Sequence, residues 1–223
     1  MTSADGLPGL ARLLAARPPS CGPVRLVGVD GHAGSGKSTL AGRLSGLLGG
    51  APVLHLDDLA SHDAFFGWTE RFAAQVAGPL ARGARAHFEA YDWHRRAFTR
   101  EGEIAPRPVV LAEGVGAGRR ELRPLLCCLL WMDLPREAAW ARGRRRDGPE
   151  LAEFWGAWTR AEEAHFAADP TRPRADLLVR ERGAGYEVRR GPGGQARHPG
   201  SITLGDMSTV VPGNRQAGET GRA

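Results

Sequence analysis

The sequence predicts an α/β protein with a five-stranded, mostly parallel sheet covered by helices on both faces. Three observations carry that prediction. Apolar runs of strand length alternate with segments of helical spacing along the chain. The runs are apolar throughout rather than at every second position, as strands buried on both faces require. A glycine-rich turn joins the first run directly to a helix, and open parallel sheets bind ligands at such carboxyl ends of their strands.

Residues 7–17 (LPGLARLLAAR) have helical apolar spacing and predict a short leading helix, ended by Pro18 and Pro19. The β-branched run VRLVGVD (24–30) is the first strand, and STLAGRLSGLL (38–48) returns to helical spacing. APVLHLDD (51–58) reads as a second buried strand that ends in two aspartates. TERFAAQVAGPLAR (69–82) is expected to be helical, with Gly78-Pro79 kinking or breaking its later part. The stretch 84–99 (ARAHFEAYDWHRRAFT) fits either an extended segment or a hairpin. RPVVLAEG (107–114) is the third strand and LLCCLLWMDLP (125–135) the fourth, stopped by Pro135. Residues 136–147 and 150–168 predict two helices joined at Gly148-Pro149, and ADLLVRE (175–181) the fifth strand. Beyond Gly183, glycine and proline accumulate and apolar periodicity is lost, so 184–223 is expected to be a disordered tail. The expected organisation is a helix and linker over 1–21, one domain over 22–183, and that tail.

The 223 residues, 42% hydrophobic and 25% charged, suit one domain with a substantial core. No stretch approaches the roughly 18 uninterrupted apolar residues of a membrane span. The N-terminus has no basic segment feeding an apolar one, so no signal peptide and no membrane partner are expected. Three cysteines make no disulfide framework, and a reduced, cytoplasmic protein is expected. Cys127 and Cys128, neighbours in a strand, should face opposite sides of it. The net charge of +5 comes from arginine, since only one of the 30 basic residues, Lys37, is lysine. A uniform arginine bias accounts for that balance, and the basic residues are scattered among acids rather than gathered in a stripe. No nucleic-acid partner is expected. The histidines and cysteines show no metal-ligand spacing.

Residues Gly31, His32, Ala33, Gly34, Ser35, Gly36, Lys37 and Ser38 fit G-x-x-x-x-G-K-[ST], the phosphate-binding loop, and Thr39 follows. Glycines let backbone N–H groups turn inward around phosphate oxygens, and the helix N-terminus adds partial positive charge. Lys37 supplies a compact charge on a long stem, which a planar guanidinium does not mimic. A glycine-rich turn with an incidental lysine is the plainer alternative. The strand before the loop, the helix after it, and the placing of the chain's one lysine at this position argue against that alternative. The fold expected is therefore the three-layer P-loop NTPase fold, with residues 31–39 holding a nucleotide.

Asp57 and Asp58 close the second strand and Glu113 the third, which in a parallel sheet faces them toward the loop. An isolated acid at a strand end commonly caps the next helix, but three beside a phosphate loop point to chemistry. Arg142, Arg144, Arg145 and Arg146 follow the fourth strand. Such a charge run is usually a solvated face, yet phosphoryl transfer needs cations that arrive with closure. Arg142 and Arg146 fall on one side of the helix at i, i+4 spacing. Leu151, Phe154, Trp155 and Trp158 form what reads as a core-facing stripe. Trp68 and Trp93 are expected to be buried, though a base could stack on either.

With these residues in place, the chain resembles the uridine kinase-like branch of the P-loop kinases over roughly residues 22–181. GHAGSGKST, the LDD pair, the YDW segment at 91–93 followed by VVLAEG, and R-x-x-x-R-D at 142–147 carry the resemblance in order. It implies ATP and Mg²⁺ as cofactors, a helical lid, and a small-molecule hydroxyl acceptor, most simply a nucleoside. It assigns Asp57 as general base on that hydroxyl and Ser38 and Glu113, with Asp57, to the metal. Lys37, Arg142 and Arg146 would act on the moving phosphoryl group, while Asp58, Tyr91, Trp93 and His94 would meet the acceptor. The chain departs from the family at Ala60, where an aromatic residue is usual, and in a short 59–70 stretch. A nucleotide-dependent switch or ATPase without an acceptor is the alternative, although no [NT]-K-x-D guanine-reading sequence is present.

Overall fold

A computed structural model describes residues 6–195. The chain runs α1 (Gly6–Ala15), β1 (Arg25–Asp30), α2 (Lys37–Leu47) and β2 (Val53–His55). Next come α3 (Thr69–Phe72), a π-helical turn (Ala73–Ala77) and α4 (Gly78–Ala81), then the hairpin β3 (Ala86–Asp92) and β4 (Ala97–Ile104). β5 (Val109–Glu113), β6 (Cys128–Met132), α5 (Arg136–Asp147), α6 (Ala152–Ala168), β7 (Leu177–Arg182) and β8 (Gly185–Arg190) complete it.

The main sheet has the order β2-β5-β1-β6-β7-β8, and β3 and β4 form a separate two-stranded sheet. β2, β5, β1, β6 and β7 are parallel. Alternate residues of the buried strands feed two apolar layers, as strand geometry dictates. Val27 and Val29 join Leu14, Leu40, Leu44 and Leu130 on one face, while Leu26 joins Leu54, Phe72 and Leu129 on the other. Each such fully buried side chain contributes about 1.5–3 kcal/mol relative to exposure. Strand pairing sets His55 beside Glu113, Glu113 beside Val29, and Val29 beside Leu130. That row brings the acid of β5 level with the start of the glycine-rich loop.

Four expectations are corrected. The sheet has six strands, because residues 185–190, expected as tail, form β8 antiparallel to β7. Gly183, at φ 54°, sits in the turn of this hairpin, so the glycine marks a reversal of the chain and not the end of the domain. Tyr186 is buried in the layer that also holds Leu10 and Leu14 of α1, so residues before 22 belong to the domain. The remainder of the expected tail, 196–223, lies outside the described residues. Second, β2 ends at His55, and Leu56–Asp58 is a 3₁₀ turn rather than strand. Third, of the kink or break expected at Gly78-Pro79, the structure has no break: the helix runs on through a π-helical turn. That turn, just before the pair, absorbs the missing N–H and ring of Pro79. Fourth, Cys127 and Cys128 pack against the same layer, since the strand begins only at Cys128 and strict alternation does not reach Cys127.

Candidate functional site

The loop between β1 and α2 is shaped by glycines at two left-handed positions, Gly34 (φ 81°) and Gly36 (φ 98°). At Gly34 a Cβ would collide with the Ala139 carbonyl of α5, so only glycine lets the helix lie this close. Lys37, at 8% exposure, folds back over the loop, and its Nζ donates to the carbonyls of Gly31 and His32, both at 3.0 Å. Asp30, the last residue of β1, is wholly buried under the loop. Its Oδ1 accepts from the N–H groups of Gly31 (2.7 Å) and Gly116 (3.0 Å), and its Oδ2 from Gly118 (2.9 Å). Burial pushes its pKa up against the pull of those donors and of Lys37.

Beside the loop, Glu113 forms a second anchor. Its Oε1 accepts from Ser38 Oγ at 2.9 Å and lies 2.5 Å from His55 Nδ1. Burial opposes its charge, but the His55 hydrogen bond, Lys37 and Ser38 outweigh that and hold its pKa below the usual range. The same contact raises the pKa of His55, against its own partial burial.

In the 3₁₀ turn successive side chains diverge by about 120° rather than pointing to opposite faces, so the two aspartates are told apart by their surroundings. Asp57 is exposed and Asp58 half-buried, although protein atoms crowd the Asp57 carboxyl. Loss of hydration there, reinforced by Glu113 and Asp58 and opposed by Lys37 and His55, raises its pKa to about 6. Asp58 is raised as well, by burial, but its opposing charges are His55 and Arg100. Of the pair, Asp57 is the one under the influence of Lys37.

On α5, Arg142 reaches the loop: its guanidinium nitrogens come within 3.7–3.9 Å of a Cβ built on Gly36. Arg142 also pairs with Glu181 of β7 at 2.9 Å. Arg146 makes a two-pronged bond to Asp147 (2.6 and 2.9 Å), and its pKa is raised by Asp147 first and by Asp57 among the lesser causes. Arg144 lies over the Trp155 ring, and Arg145 is exposed in the last turn, where cations complement the helix dipole. The expected cluster therefore divides, with Arg142 and Arg146 turned to the cleft.

An aromatic cluster, against which Ala33 of the loop also packs, lines the site and forms an aromatic wall. Tyr91 is buried, its hydroxyl 3.0 Å from His62 Nδ1, and Trp93 Nε1 donates to the Asp57 carbonyl at 3.2 Å. His62 lies 4.8 Å, and Phe154 5.9 Å, from the Trp93 ring, and Phe65 packs at 5.7 Å from Phe154. Trp93 is only half-buried, whereas Trp68 is 2% exposed and structural. The stripe on α6 separates as well: Trp155 and Trp158 are buried, Phe154 faces this wall, and Leu151 is exposed. His94 is not brought to the site. It is exposed in the β3–β4 turn, its N–H bonded to Asp92.

Glu162 of α6 touches the loop from behind. It is fully buried and accepts from His32 Nδ1 (2.7 Å), Ala33 N–H (3.1 Å), Trp140 Nε1 (3.0 Å) and Trp158 Nε1 (3.0 Å). Asp30, His55, Glu162, His62 and Phe65 join the site without belonging to any of the sequence motifs above. Two carried a usable signal: Asp30 ends a strand immediately before the loop, and Glu162 lies four residues after Trp158, a carboxylate on a buried helical stripe.

No protein-family model matches the chain. The uridine kinases of Borrelia hermsii (strain HS1 / DAH) and Borrelia turicatae (strain 91E135) are each 26% identical to it over 183 residues, covering 72% of this chain and 88% of the relative. A solved structure, a possible uridine kinase from Bacillus stearothermophilus, superposes with a TM-score of 0.57 at 21% identity, covering 77% of this chain and 96% of that one. The fructose transport system kinase candidate from Silicibacter sp. TM1040 superposes with a TM-score of 0.51 at 22% identity, covering 72% and 88%.

Proposed function

We propose that this chain, uridine kinase-like in sequence and fold, transfers the γ-phosphoryl group of ATP to a hydroxyl of a small molecule, with a nucleoside or nucleoside-like metabolite as acceptor. The observation that carries this reading is the position of Asp57. Its carboxyl, with a pKa of about 6, feels Lys37 and Glu113 on one side, while its carbonyl is bonded to Trp93 of the aromatic wall on the other. A base placed between a phosphate loop and a ring-lined recess is what transfer to a hydroxyl requires.

In this reading residues 31–39 hold the phosphates, and Lys37 exchanges its two carbonyl partners for phosphate oxygens. Ser38 and Glu113 offer a hydroxyl and a carboxylate at the head of α2, a hard-oxygen pair that suits Mg²⁺, with Asp57 close by. When bound, Mg²⁺ supplies charge neutralisation along the phosphates. Asp57 orients the acceptor hydroxyl and takes its proton as the oxygen attacks phosphorus. Arg142 and Arg146 stabilise the charge on the moving group. His62, Trp93 and Phe154 offer faces for a planar acceptor, Tyr91 supports His62, and Asp58 lies beside them. Neither nucleic acid nor membrane enters the reaction, and the reading places it in the cytoplasm.

A panel of nucleosides, sugars and sugar alcohols, each scored for stimulation of ADP release from ATP·Mg²⁺, tests this. At least one nucleoside is expected to raise ADP release by an order of magnitude or more. ADP release that no acceptor stimulates would leave an ATPase or switch in its place.

A further inference from the structure

Glu162 has no part in the mechanism above, yet it holds the phosphate loop. Its two oxygens divide four donors between them. Oε1 takes His32 of the loop and Trp140 of α5; Oε2 takes Ala33 of the loop and Trp158 of α6. Because the acceptor is a carboxylate, His32 must carry its proton on Nδ1. Its ring is boxed edge-on by Trp131 (5.3 Å), Phe166 (5.2 Å) and Trp140 (6.3 Å), which leaves it one orientation.

Burying a carboxylate is costly unless its lone pairs are met, and apolar packing could join three elements as well. What the carboxylate adds is direction. Both loop donors are drawn to the outer side of the loop, and the same group grips α5 through Trp140. Trp140 is flanked by Ala139, which, with Gly143, lies against Gly34 at the loop.

We propose that Glu162 is a positioning residue that sets the shape of the phosphate loop through His32 and Ala33 and couples that shape to the lid helix α5 through Trp140. This rests on the reading of residues 31–39 as the nucleotide site. It predicts that loop and lid respond to different bonds of one carboxylate.

In Glu162→Gln one oxygen becomes an NH₂ group, so two of the four donors face another donor. Binding of a fluorescent ATP analogue with Mg²⁺, measured at a temperature where circular dichroism shows the folded state, is expected to weaken about tenfold or more. Trp140→Phe keeps the ring and the loop bonds but cuts the link to α5. Its affinity for the analogue is expected to stay within about twofold of wild type. ATP·Mg²⁺ is expected to protect the wild-type arginines of α5 from trypsin, and to protect those of Trp140→Phe several-fold less. A residue that only stabilises the fold would lower the melting temperature and move neither affinity nor protection. Unchanged affinity in folded Glu162→Gln, or wild-type protection in Trp140→Phe, overturns the proposal. If Glu162→Gln does not fold, the protection result alone decides. Wild-type protein that binds no ATP·Mg²⁺ would instead overturn the reading of the nucleotide site.

Discussion

The proposed phosphate side of the site is made from consecutive residues, 31–39, whose backbone is set by glycine and whose polar side chains Lys37 and Ser38 are bonded to named partners. The proposed acceptor side gathers His62 and Phe65, Tyr91 and Trp93, and Phe154 from three separated segments, held together chiefly by ring packing. The difference teaches where each kind of change should act. Hydrogen-bonded charge with one correct geometry fails as a unit, so damage on the phosphate side appears in kcat. A wall of rings offers several weak faces, so damage there appears in the KM of the acceptor.

The largest effect is expected at Lys37. Lys37→Ala removes the charge that bridges the loop, and kcat should fall by on the order of 10²–10³ or more, while thermal melting shows a folded protein. Near-normal turnover would remove the distinction between the two sides.

Asp57→Asn comes next, with kcat lower by at least about 10² if the proposed general base is lost. Asp58→Asn should cost less, and mainly in the KM of the acceptor, measured at saturating ATP and Mg²⁺. In the wild type, kcat/KM should rise with pH through about 6 as Asp57 gives up its proton. Stability runs the other way. The folded-state pKa lies above the ordinary value of 3.8, so the protonated form is favoured by folding. That stabilisation is present below 3.8 and is lost as pH rises toward 6. Asp57→Asn should therefore melt higher than wild type at pH 7, and a lower melting point would contradict the raised pKa of Asp57.

On the acceptor side, Trp93→Ala should raise the KM of the acceptor about tenfold, from the roughly 1–3 kcal/mol that stacking on an aromatic ring supplies, with the KM for ATP within about twofold. Equal changes in both constants would mean that the two sides are not separable. The smallest effect on catalysis is expected at Tyr186, outside the cleft. Tyr186→Ala should destabilise by about 3 kcal/mol, read from denaturant unfolding, and leave both KM values unchanged.

Legibility in the sequence follows the same division. The glycine-rich loop between strand and helix is legible because glycine spacing encodes a local backbone, and the acids near it are legible because strands of a parallel sheet end on one side. The expectation of LDD as strand fails because three residues are too few to reveal a 3₁₀ turn, so strand alternation does not set the directions of Asp57 and Asp58. β8 was hidden by its glycine-rich surroundings, since Gly183 serves equally at a hairpin turn or at the start of an unstructured stretch. Glu162 and His32 lie 130 residues apart, and no local pattern links two such positions. The aromatic wall is likewise a product of packing, which draws Phe154 out of the α6 stripe to meet Trp93 while Trp155 stays buried.

In the proposed reaction one site joins a phosphate donor to a hydroxyl acceptor across Asp57. The most direct measurement follows the label from ATP carrying a radioactive γ-phosphate, incubated with Mg²⁺ and a stimulating acceptor from the panel. The account predicts that the label appears on the acceptor in one-to-one proportion with ADP, and that Asp57→Asn loses this transfer while still binding ATP. Label released as inorganic phosphate at an equal rate with and without acceptor would contradict it.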